Sequence, residues 1–196
     1  MQLYGISPND VEDINYDKIE ELAQNEKVVG IGEIGLDYYW NKENKELQKE
    51  VFIKQIEIAN KLNLPIIIHT REAVMDTIEI LKQYPVKQKG IFHCCPLNVE
   101  LIKEALKLGF YISFSGNVTF KNSKNANLCI ETVPIDRILI ETDSPYMSPE
   151  PFRGTRNTPT HVRYVAEKIA NVKQLDEEVI AKQTIENACR ILKISK

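Results

Sequence analysis

Glu33, His69, His93 and Asp143 each stand at or just beyond the end of a short apolar run. The runs are Val28-Val29-Gly30-Ile31-Gly32, Pro65-Ile66-Ile67-Ile68, Gly90-Ile91-Phe92 and Arg137-Ile138-Leu139-Ile140. Two imidazoles and two carboxylates are a hard-to-borderline donor set that suits divalent cations. A cation held by such a set lowers the pKa of a water from 15.7 toward ~7, and a neighbouring carboxylate can take the released proton. The predicted chemistry is metal-dependent hydrolysis, with Glu33, His69, His93 and Asp143 as ligands.

Four side chains scattered over the chain work together only if the fold gathers them. Short runs rich in β-branched residues, each followed by an amphipathic stretch, read as buried parallel strands in βα units. The C-terminal ends of such strands open onto one face, where ligands bind. The strands are expected at Gln2–Ile6, Val28–Gly32, Pro65–His69, Lys89–His93, Phe110–Ser113 and Arg137–Glu141. Helices are expected at Asn15–Asn25, Glu43–Leu62, Arg71–Gln83, Asn98–Leu108, Ser123–Val133, Thr160–Val172 and Asp176–Leu192. In Glu43–Leu62, Leu47, Val51, Ile58 and Leu62 mark the apolar stripe, with Phe52, Gln55, Ile56 and Ala59 beside it. Six strands fit an open sheet; a (β/α)8 barrel needs eight and about 250 residues. The pattern alone leaves both open.

With 196 residues, 43% of them hydrophobic, the chain is long enough for one domain over 1–196. A net charge of -3 carries no basic footprint for nucleic acid, although local arginines could still recruit a phosphodiester. No signal peptide or membrane-length apolar run is visible, so no membrane partner is expected. Cys94, Cys95, Cys129 and Cys189 match no zinc-finger spacing and read as reduced thiols of a cytoplasmic protein. A zinc-thiolate reading of His93-Cys94-Cys95 is weaker than one of small buried residues beside a ligand histidine.

The glycines around Glu33 suggest that metal and substrate approach the backbone closely there. Asp37 follows as a positioning residue. Asp143 lies two residues beyond Glu141, so a continued strand would point both carboxylates one way; the competing reading makes Asp143 an N-cap aspartate before a short turn at Ser144-Pro145. Arg71, Arg153, Arg156 and Asn157 are the candidates for holding substrate phosphate, because a guanidinium fork matches its oxygens; Glu141 joins them in a supporting role. Tyr38-Tyr39-Trp40 could stack on bases or lie as core beneath a loop. Ser113 and Ser115 lack a nucleophile's partners, and His161 reads as a surface or capping residue.

Several segments carry a resemblance: Gly32-Glu33-Ile34-Gly35-Leu36-Asp37-Tyr38, Pro65-Ile66-Ile67-Ile68-His69-Thr70-Arg71, Glu141-Thr142-Asp143-Ser144-Pro145-Tyr146 and Arg153-Gly154-Thr155-Arg156-Asn157-Thr158-Pro159. In this order and spacing they resemble the TatD family of metal-dependent deoxyribonucleases, within the amidohydrolase-type barrels. The resemblance runs from about Tyr4 to the C-terminus. It implies a TIM-type barrel, a DNA substrate and two divalent ions (Mg, Mn or Zn). One ion would be held by Glu33, His69 and His93, the other by Glu33, Asp143 and a His-x-His pair from the first strand, with Glu33 and Asp143 as the catalytic carboxylates. The only histidines here are His69, His93 and His161, and Gly5-Ile6-Ser7-Pro8 stands where the family usually has Gly-Ile-His-Pro. The resemblance therefore implies that about the first two βα units are missing, leaving six parallel strands and one intact metal position.

Three readings follow. The first is a deoxyribonuclease; the second is a catalytically impaired barrel remnant with a partial metal site; the third is a metal-dependent hydrolase of small esters or amides, since fold does not fix substrate. An opened barrel would also expose strand edges, for which either a homo-oligomer across the gap or a local rearrangement is expected.

Overall fold

The computed structural model describes residues 1–12, 14–40 and 42–194. Strands and helices alternate along them. The strands are β1 (Gln2–Tyr4), β2 (Val28–Asp37), β3 (Ile66–Arg71), β4 (Gly90–Phe92), β5 (Tyr111–Phe114) and β6 (Ile138–Ile140). The α-helices are α1 (Tyr16–Ala23), α2 (Lys45–Leu62), α3 (Val74–Gln83), α4 (Val99–Lys107), α5 (Ala126–Thr132), α6 (Val162–Lys173) and α7 (Glu177–Leu192). Every expected strand and helix is found, with ends that differ by a few residues. The largest difference is β2, which runs on to Asp37.

The chain divides into two compact units. One comprises Met1–Phe92, Leu108–Phe110 and the chain from Ile191; the other comprises His93–Lys107 and Tyr111–Arg190. In the first unit, β1, β2, β3 and β4 lie side by side in chain order, each pair parallel. Ile31, Ile34, Leu36, Ile66 and Ile68 are fully buried on these strands, with Phe52, Ile56 and Leu81 from the helices. Burying each such side chain contributes roughly 1.5–3 kcal/mol. In the second unit, β5 and β6 pair in parallel, with Ile112 opposite Ile138 and Phe114 opposite Ile140.

The buried face of α2 is turned slightly from the expected stripe. Gln48, Val51, Phe52, Gln55, Ile56, Ile58 and Ala59 are buried, whereas Leu47 is exposed. The reason lies in two polar side chains on the apolar face. Gln55 accepts a hydrogen bond from the Ile6 N–H at 2.6 Å and donates one to the Ile6 carbonyl at 3.1 Å. Gln48 does the same at Asp37, accepting from its N–H at 2.8 Å and donating to its carbonyl at 3.0 Å. A buried peptide group that loses such partners costs about 1–3 kcal/mol, so these glutamines fix the face that α2 presents.

Candidate metal centre

Glu33 is presented by a bulge. On β2 three steps separate Ile31 from Ile34, while on β3 their partners Ile66 and Ile68 are two apart. The extra residue re-aims the local side chain, and Glu33 keeps partial exposure within a buried strand. The Gly32–Glu33 peptide bond is cis. The flanking glycines do not serve the role expected of them. A Cβ on Gly32 would lie 2.5 Å from Cβ of Ile67, and one on Gly35, where φ is +135°, would lie 2.0 Å from the His69 carbonyl oxygen. Their missing side chains admit the neighbouring strand rather than a metal or substrate.

His69, on β3 opposite Gly35, faces two carboxylates. Its Nδ1 lies 2.7 Å from Glu33 Oε1 and its Nε2 lies 2.9 Å from Asp37 Oδ2. Burial acts to lower the imidazole pKa, but the hydrogen bonds and charges of Glu33 and Asp37 outweigh it and raise the pKa. Asp37 is 1% exposed, and its other oxygen accepts the N–H groups of Tyr39 at 2.9 Å and Trp40 at 3.2 Å. Carboxylates only accept, so both ring nitrogens donate, Nε2 to Asp37 and Nδ1 to Glu33, and a cation bound beside Glu33 would take the place of the Nδ1 proton.

In the second unit His93, immediately after β4, is held the other way round. Its Nδ1 lies 2.7 Å from Glu141 Oε2, and the Cys94 N–H donates to Glu141 Oε1 at 2.5 Å. Burial acts to raise the Glu141 pKa, yet His93, the Ser113 hydroxyl and the Cys94 N–H together bring it below the usual value. Glu141 therefore anchors an imidazole. Its acceptor oxygens are engaged by the chain itself. With Nδ1 committed to Glu141, Nε2 is the nitrogen through which His93 would bind a cation.

Asp143 does not continue the strand. β6 ends at Ile140, and Asp143 has φ +56° in a turn closed by the Tyr146 N–H donating to its carbonyl at 2.8 Å. The period-two argument that aligned it with Glu141 therefore fails, while the short turn expected at Ser144-Pro145 is present. Asn157 is buried, and its amide donates to the carbonyls of Thr142 at 2.7 Å and Tyr146 at 2.6 Å. Its oxygen accepts the Thr158 N–H at 2.9 Å. Asn157 thus orders the loop that carries Asp143. His161 packs flat on Phe152, ring centroids 4.4 Å apart, beside Asn157. Arg153 lies over the Phe120 ring at 4.3 Å and donates to Asn122; Arg156 is exposed; Arg71 leaves the end of β3. All four cysteines are free thiols.

The donor types fit a divalent cation: in the first unit Glu33 beside His69, and in the second unit an imidazole at His93. Each imidazole is backed at its other nitrogen by a carboxylate, the arrangement that fixes tautomer and orientation in metal-ligating histidines. Sequence reasoning missed Gln48; its signal was a glutamine placed, like Gln55, on the apolar face of α2.

A family model described as TatD related DNase matches residues 1–193. The chain belongs to the TatD-related DNase family. This TatD chain is 51% identical over 178 residues to the uncharacterized metal-dependent hydrolase YabD of Bacillus subtilis (strain 168), covering 90% of this chain and 70% of that protein. It is 46% identical over 188 residues to the uncharacterized metal-dependent hydrolase YcfH of Escherichia coli (strain K12), covering 95% and 69%. Among solved structures, the TatD homologue YJJV from Escherichia coli K12 matches with a TM-score of 0.93 at 23% identity, covering 98% of this chain and 76% of that one. A TatD family hydrolase from Entamoeba histolytica matches at 0.80 and 23% identity, covering 92% and 69%. These likenesses establish an α/β fold of the TatD, TIM-barrel type, with six parallel strands in this chain. No helix among the described residues is long and apolar enough to cross a membrane.

Proposed function

We propose that this TatD chain is a metal-dependent hydrolase that cleaves DNA phosphodiester bonds. The observation that supports it most is the pair of carboxylate-backed imidazoles, His69 on Asp37 and His93 on Glu141. Glu33, His69 and His93 would hold one divalent ion, and Asp143 with Glu33 would contribute to a second. When bound, such an ion supplies Lewis acidity and lowers the pKa of an attacking water toward ~7. Asp143 then accepts the water's proton on a carboxylate oxygen. Asp37 and Glu141 hold the two ring orientations throughout. Arg71, Arg153 and Arg156 bring guanidinium groups to the phosphodiester and favour phosphate over a neutral amide. Asn157 acts at one remove, by ordering the Asp143 loop.

The test is metal content and hydrolysis of a DNA oligonucleotide by the purified chain with Mg²⁺, Mn²⁺ or Zn²⁺, beside Glu33→Ala. Cleavage that needs metal and is lost in the variant supports the proposal. Metal uptake without cleavage of any oligonucleotide would replace it with a binding-only remnant.

A further inference from the structure

We infer that Tyr39, Trp40 and Arg71 form a stacking platform for an unpaired nucleobase beside His69. The inference rests on the DNA reading above and deepens it, making the substrate single-stranded and gripped through its bases as well as its phosphates.

Three consecutive aromatic residues leave β2, and they part company. Tyr38 is buried, and its hydroxyl donates to Asp76 Oδ2 at 2.7 Å. Tyr39 and Trp40 are 46% and 68% exposed, which excludes the core reading for both. Their rings meet edge to face with centroids 4.9 Å apart. The Arg71 guanidinium carbon lies 3.8 Å from the Tyr39 ring centroid and 5.5 Å from that of Trp40. Arg71 pairs with Asp37 in the β2–β3 register, two residues after His69. Among the described residues no carboxylate pairs with Arg71, so its charge is available to an anion.

The platform is also fixed in place. Both exposed aromatics donate their backbone N–H groups to Asp37 Oδ1, while Asp37 Oδ2 faces the His69 ring. One buried carboxylate thus sets the distance from the aromatic faces to the candidate ligand. A cation preorganised on an aromatic ring, next to a second exposed ring, matches a nucleotide: phosphate for the guanidinium, base for the indole. A duplex keeps the faces of its bases inside the stack, so the fitting occupant is an unpaired base.

Trp40 is the only tryptophan in the chain, which makes its fluorescence a direct reporter. The metal-loaded protein is titrated with a thymidine tetramer carrying phosphorothioate linkages, with an abasic tetramer of the same linkages, and with a blunt duplex. Saturable quenching by the thymidine chain, with little response to the other two, is expected. By anisotropy of a labelled thymidine tetramer, Trp40→Ala should weaken binding by about 5- to 100-fold, and Trp40→Phe should retain most of it. No quenching, equal quenching by the abasic chain, or stronger quenching by the duplex would overturn the platform. DNA cleavage with any of those three results sinks the platform and spares the nuclease reading. Base-dependent quenching without cleavage does the opposite.

Discussion

The two imidazoles are held by the same device turned around. His69 gives Nε2 to Asp37 and turns Nδ1 to Glu33, whereas His93 gives Nδ1 to Glu141. The difference follows from where each carboxylate comes from. Asp37 is on β2, paired laterally with β3, and reaches the far nitrogen of a side chain that rises beside it. Glu141 follows β6, and one of its oxygens accepts the backbone N–H next to His93, which brings the carboxylate against the near nitrogen. The supports differ as well. Asp37 is clamped at its peptide groups by Gln48, while Glu141 depends on Cys94 and Ser113. What a histidine needs at such a site is one nitrogen committed; which one is a matter of local geometry.

That equivalence can be broken experimentally. The largest effect is expected for Glu33→Ala or His69→Ala, with activity falling on the order of 10³-fold or more while the fold is retained by circular dichroism. Next come Asp37→Asn and Glu141→Gln, each reducing metal affinity or activity about 10- to 100-fold, read by metal titration and steady-state kinetics. If one of the pair were silent, its imidazole would not be a ligand and the symmetry would fail. Gln48→Ala should destabilise the chain by about 1–3 kcal/mol in urea unfolding, because it strands the buried N–H and carbonyl of Asp37. Gln55→Ala should cost less, since the peptide groups it serves at Ile6 are only partly buried.

The smallest effect concerns pH and belongs to the first unit. Asp76 accepts hydrogen bonds from Lys49 and Tyr38, which hold its pKa below the ordinary value. Its contribution is therefore whole above the unfolded carboxylate pKa of ~3.9 and fades as pH falls through and below it. It amounts to under about 1 kcal/mol for this partly exposed group. Asp76→Asn should flatten the acid limb of stability against pH, measured by urea unfolding between pH 7 and pH 3; an unchanged limb would discard this strut.

Much of the molecule was legible in its residues. Strand–helix alternation is written in apolar runs and amphipathic stretches, and all six strands lie where those runs predict. Glu33, His69 and His93 were identifiable because ligand residue types recur beside such runs. What the sequence did not disclose depends on contacts between distant segments. Nothing in Gly32-Glu33-Ile34 announces a slipped register against Ile66 and Ile68, and the glycines there answer to the adjacent strand. The rotation of α2 follows from two glutamines whose partners lie far away in the chain. Asn157, beside two arginines, looks like a phosphate contact until its amide is traced to Thr142 and Tyr146.

The bulge in β2 has a consequence for anyone who edits this protein. Ile31 and Ile34 pair with Ile66 and Ile68, so removing one residue between them would leave both pairings in place and take away only the extra position by which Glu33 is aimed. A grafted copy of this half-centre must therefore carry the inserted position as well as its acid and its imidazole, because the spacing is the heritable part.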